Sequence, residues 1–102
     1  MILPFLKATN IVVTGASSGL GAAFAGALVA KGAIVYGLAR NLDKLNVLQE
    51  QLGKTFIPVK IDITDQKAIA AWVKKTFSDV HIPDILINNA GAGFFNKIDE
   101  LP

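Results

Sequence analysis

A chain of 102 residues, 52% of them apolar, can bury one small core but not two. Its net charge of +2, from ten Lys or Arg against eight Asp or Glu scattered along the sequence, forms no basic stripe for a nucleic acid. There is no cysteine, which excludes disulfides and thiolate metal sites and fits a reducing compartment.

The apolar start, Met1 to Leu6, is short, is interrupted by Pro4, and lacks the basic lead and cleavage site of a signal peptide. A cytoplasmic location is the default expectation. From Ile11 to Ala30 twenty positions pass without a charge, a length that nominates a membrane span. Gly15, Gly19, Gly21 and Gly26, with Ser17 and Ser18, make that a poor span. A strand, a turn and a buried helix account for it better, so no membrane partner is expected.

The elements then alternate. Ile11 to Thr14 is a β-branched strand, and Leu20, Phe24 and Leu28 recur at the spacing of one helix face until Gly32 stops the helix. Ile34 to Ala39 is apolar without clean alternation, as in a parallel strand covered on both faces. Leu42 to Leu52 reads as a helix with Leu45, Leu48 and Leu52 inward and Gly53 after it. Phe56 to Ile61 is a third strand, and Pro58 places it at a sheet edge. Thr64 or Asp65 caps a third helix, on which Ile69, Trp72, Val73 and Phe77 share a helical spacing that makes Trp72 a core residue. Ile85 to Ile87 is a fourth, wholly apolar strand. The pattern βαβαβαβ predicts an α/β fold, a parallel sheet covered by helices on both faces.

Chemistry concentrates at Thr14-Gly15-Ala16-Ser17-Ser18-Gly19-Leu20-Gly21, between the first strand and the first helix. A pyrophosphate needs backbone N–H groups at a helix N-terminus, and glycines remove the Cβ atoms that would hold it off. The same letters spell G-x-S-x-G, which would make Ser17 the nucleophile of a serine hydrolase. That reading needs a later acid and base, for which only Asp79 and His81 offer themselves, and an elbow preceded by several strands rather than one. It is the weaker of the two.

Taken together, TGASSGLG at positions 14 to 21 and Asn88-Asn89-Ala90-Gly91 after the fourth strand, with Asp62 between them, closely resemble the short-chain dehydrogenase/reductase family. The spacing T-G-x-x-x-G-x-G is that of its shorter, single-domain branch. The resemblance covers all but the first few residues and implies a Rossmann-type doubly wound sheet, ordered 3-2-1-4 in this half, with NADP(H) across the carboxyl ends of strands one and four. It implies that Gly15, Ser17, Ser18 and Leu20 contact the cofactor phosphates and ribose, while Gly19 and Gly21 permit close approach and helix packing. Asp62 and Ile63 match the family's adenine-holding positions. Asn89 matches a ribose contact, and Ala90 and Gly91 complete its turn. Asn88 is expected to brace the sheet.

NAD-preferring enzymes place an acid at the end of the second strand. Here Arg40, the only arginine, stands there, and a guanidinium can grip the 2′-phosphate of NADP in a fork. Asn41 is expected to assist it. No metal site is expected.

The family's catalytic Tyr-x-x-x-Lys pair does not occur. Tyr36 is the only tyrosine, and Arg40 rather than lysine follows four residues on. The expectation is therefore that residues 1–102 form a single partial domain, the cofactor-binding half of a longer NADP-dependent oxidoreductase, and are inactive alone. The parent would act on a small carbonyl or alcohol substrate and form a homo-oligomer. The alternative is a non-catalytic dinucleotide-binding or interaction module.

Overall fold

The computed structural model describes residues 9–78 and 83–88. In chain order they form β1 (Asn10–Thr14), α1 (Gly19–Ala30), β2 (Ile34–Ala39), α2 (Leu42–Leu52), β3 (Phe56–Lys60), α3 (Gln66–Thr76) and β4 (Ile85–Asn88). The four strands pair in parallel in the order β3-β2-β1-β4, so the α/β, Rossmann-type topology expected from the alternation is present. β3 is an edge strand, as Pro58 required.

Both sheet faces are covered. Ile11, Val13, Val35, Ala39 and Phe56 pack with Ala25 of α1 and with Leu45 and Leu48 of α2. Val12, Tyr36 and Leu38, one residue out of phase, pack with Ile61, Phe77 and the α3 residues Ile69 and Trp72. This period of two on each strand is why the runs looked continuously apolar. Trp72 is half-buried and packs against this core rather than within it, meeting Tyr36 and Phe77 edge to face with ring centroids 5.9 and 5.6 Å away.

Two local expectations are corrected, and one open alternative is settled. Leu20 and Phe24 do not form the inward face of α1, for they are 60% and 39% exposed while Gly21 and Ala25 are buried. That helix is apolar all round, so periodicity could not choose its inner face, and the smallest residues let it lie closest to the sheet. Phe77 is buried but lies past the helix, as the extended C-cap of α3. Of the two candidate caps, Asp65 is the N-cap of α3, its carboxylate accepting from the Ala68 N–H at 3.0 Å.

β4 occupies the other edge, with Ile85 and Leu86 exposed. At its end the Thr14 hydroxyl donates to Asn88 Oδ1 at 2.9 Å, tying β4 to β1 where the two residues stand opposite each other. Asn88 thus braces the sheet. The uncharged stretch from Ile11 to Ala30 is a strand, a turn and a twelve-residue helix. Among the described residues no helix is long and apolar enough to cross a membrane.

Candidate functional site

The glycine loop sits at the carboxyl end of β1, where a parallel sheet delivers its chain to a helix N-terminus. Gly15 turns the chain with φ at 66°, a left-handed conformation that side chains disfavour. Its N–H and that of Ala16 donate to the Leu38 carbonyl at 2.8 and 3.3 Å, which fastens the loop to β2. Ser18 caps α1: its hydroxyl donates to the Gly15 carbonyl at 2.8 Å and accepts from the Gly21 N–H at 3.4 Å. The Ala22 N–H donates to the Ser18 carbonyl.

Two donors of the first helical turn, the Gly19 and Leu20 N–H groups, have no partner among the described residues. They point from the positive end of the α1 dipole. A Cβ built on Gly19 meets nothing within 4 Å, so the space that glycine leaves is open. Unengaged N–H donors, a helix N-terminus and an open cradle fit a phosphate group. The Gly15 and Ala16 N–H groups and the Ser18 hydroxyl are engaged within the fold, while the Ser17 N–H and hydroxyl have no such bond among the described residues.

Beside the loop a cleft of about 290 Å³ is lined by Gly15, Ser17, Leu38, Arg40, Asp62 and Ile63 among others. Five residues chosen from the sequence therefore meet in one space. Arg40 is exposed and follows directly on β2. Asn41 caps α2, its Oδ1 accepting from the Lys44 N–H at 3.1 Å, which leaves the amide nitrogen as the group free to donate outward. Asn89, Ala90 and Gly91 lie outside the described residues, as do Asp79 and His81.

Asp62 forms a tight turn of its own. Oδ1 accepts from the Thr64 hydroxyl at 2.7 Å and from its N–H at 2.9 Å. These bonds hold its carboxyl below the usual aspartate range, chiefly the hydroxyl, then the N–H, with the Arg40 charge adding to them. A carboxyl with a lowered folded pKa stabilises the fold above its ordinary range, and that support is lost as pH falls through the lowered value. Thr64→Val should accordingly raise the Asp62 pKa towards that of a free aspartate and bring the acid loss to higher pH. Carboxyl-carbon NMR titration measures the first effect directly, and an unchanged Asp62 midpoint would show that the hydroxyl does not hold it.

Tyr36 is 8% exposed, and burial pushes its hydroxyl above the ordinary tyrosine value. It belongs to the aromatic packing beneath α3 rather than to the cleft. Gly37 is a position whose importance the sequence did not reveal: a Cβ there would stand 2.3 Å from the Phe56 ring and 3.0 Å from the Ala16 Cβ. Only the fold brings β3, β2 and the glycine loop to one point.

Parallel strands ordered β3-β2-β1-β4, with a glycine turn leading from β1 to a capped helix, define a Rossmann-type α/β protein. The chain belongs to the short-chain dehydrogenase family, whose model matches residues 9–102. The serine-hydrolase reading of Ser17 is set aside by that membership.

Among relatives, a protein named probable NADP-dependent dehydrogenase from Dichelobacter nodosus is 43% identical over 81 residues, covering 79% of this chain and 76% of that protein. Serine 3-dehydrogenase of Rhizobium radiobacter is 42% identical over 85 residues, 80% of this chain and 33% of that enzyme. A crystal structure of a metagenomic short-chain oxidoreductase in complex with NADP matches with a TM-score of 0.77 at 36% identity, covering 85% of this chain and 41% of that one. The chain thus spans about a third of the Rhizobium enzyme and well under half of the metagenomic one.

Proposed function

We propose that this chain supplies the NADP(H)-binding half of an oxidoreductase that transfers hydride between the nicotinamide and a carbonyl or alcohol. The observation that carries the reading is the pair of unengaged N–H groups at the start of α1, on a glycine loop whose Gly15 and Ser17 line the cleft that also holds Arg40 and Asp62. The Gly19 and Leu20 amides would receive the pyrophosphate, the Ser17 hydroxyl would donate from the loop, and Asp62 and Ile63 would hold the adenine. Asn89, Ala90 and Gly91 would complete the ribose side. Support for NADP over NAD comes from Arg40 standing where an acid would favour NAD, from the Dichelobacter relative's name and from the NADP in the metagenomic complex.

When bound, the cofactor supplies the hydride. This chain's part is to bind and orient the adenosine and pyrophosphate. Tyr36 is not offered as the proton donor to a substrate oxygen, because it is buried in the aromatic packing beneath α3 and does not line the cleft. On this reading residues 1–102 act as one partial domain without turnover of their own, and substrate chemistry belongs to a larger protein.

Titrating the chain with NADPH and NADH tests the reading. NADPH should bind more tightly, and Arg40→Ala should weaken NADPH by about one to two powers of ten while leaving NADH nearly unchanged, the worth of one charge-assisted hydrogen bond. Equal losses for both cofactors would show that Arg40 does not read the phosphate.

A further inference from the structure

We infer that Lys60, at the end of β3, is a second cation reading the 2′-phosphate beside Arg40, and so a determinant of cofactor choice. The inference rests on the proposed NADP site and extends it. Lys60 stands opposite Ala39 in the parallel β2–β3 register, one residue before Arg40 on the neighbouring strand. The pairing carries both cations to the carboxyl edge of the sheet, although they are far apart in sequence.

Lys60 and Arg40 share two shallow hollows. One is completed by Asn41, Leu42 and Asp43 at the start of α2, the other by Ile61, Asp62 and Ala68. Each hollow has two cations against one carboxylate and keeps an excess positive charge. Asp62 has one oxygen engaged by Thr64. Both cations are exposed, and neither has an ion-pair partner among the described residues. A dianionic phosphate gripped by Arg40 would therefore lie within the field of Lys60, whereas a ribose hydroxyl carries no charge for it to meet. Lys60 does not stand out in the sequence, because its nearness to Arg40 is a consequence of register.

An exposed charge pair in water is weak, so Lys60→Gln should reduce NADPH affinity about fivefold and leave NADH affinity unchanged. Lys60→Arg should retain NADPH binding, and Asp43→Asn, which removes the opposing acid from the first hollow, should strengthen it. Lys74→Gln, the same charge change on α3, should alter neither cofactor. The measurement is a fluorescence titration of the chain with NADPH and with NADH at fixed ionic strength. If Lys60→Gln leaves NADPH affinity unchanged, or lowers both affinities equally, while Arg40→Ala still weakens NADPH alone, the role of Lys60 is overturned and the site stands. If the unaltered chain shows no preference for NADPH, or Arg40→Ala does not change it, the proposed site and the inference are overturned together.

Discussion

Gly19→Val should leave the chain folded and remove dinucleotide binding. Gly19 is the first residue of α1, is exposed, and has no atom within 4 Å of the position its Cβ would take, so the substitution creates no internal collision. The valine would add bulk in open space at the N-terminus of α1, next to the Gly19 and Leu20 N–H groups. A phosphate held away from both loses two charge-assisted hydrogen bonds, each contributing about 1.5 to 3 kcal/mol, or at least a hundredfold in affinity for the pair. Paired measurements decide the matter: the unfolding midpoint in urea and the dissociation constant for NADPH. A normal midpoint with undiminished affinity would show that the pyrophosphate does not lie against this turn. Gly15→Val is the less informative variant, because φ at 66° strains any side chain and the loop itself would change.

Phe56→Ala should cost about 3 to 5 kcal/mol of stability, the usual range for removing a fully buried aromatic ring. Phe56 is 0% exposed, the largest fully buried side chain among the described residues, and it closes the core beneath α2. Its ring lies over Gly37, so Gly37→Ala alone should destabilise by about 1 to 3 kcal/mol through overpacking. In the Phe56→Ala background the added methyl has room, and the double variant should be more stable than the sum of the two losses predicts. Urea unfolding of the four proteins gives the cycle. Strict additivity would mean that the ring and the glycine do not share the space described. Because Ala16 also borders Gly37, Gly37→Ala should in addition shift the glycine loop, visible as weakened NADPH binding at temperatures where the variant is folded.

Much of this architecture is legible in the residues themselves. The alternation of apolar strands with helical spacings predicts the element order, and Gly32 and Gly53 mark two helix ends where φ is 95° in both. Pro58 announces the β3 edge because it has no N–H to give a second neighbour. The glycine turn, Arg40 and Asp62 stand out because phosphate and adenosine chemistry is demanding of residue type, and the fold does bring them to one cleft. Less legible is the inward side of α1. Leu20 and Phe24 had the expected spacing, yet the chain buries Gly21 and Ala25, since an all-apolar helix is oriented by how closely it can approach the sheet.

The sequence by itself determined which local conformations are available: a left-handed turn at Gly15, caps at Ser18, Asn41 and Asp65, and strands apolar enough to be covered on both faces. The tertiary structure alone decided which groups within those conformations are left to act. Pairing the loop with β2 engages the Gly15 and Ala16 N–H groups on Leu38, and leaves those of Ser17, Gly19 and Leu20 without a partner among the described residues. Strand register sets Lys60 beside Arg40 and Phe56 over Gly37. Local preference acts over a few residues of chain, whereas hydrogen-bond engagement and nearness depend on partners from other strands, which the sequence does not contain until the sheet has formed.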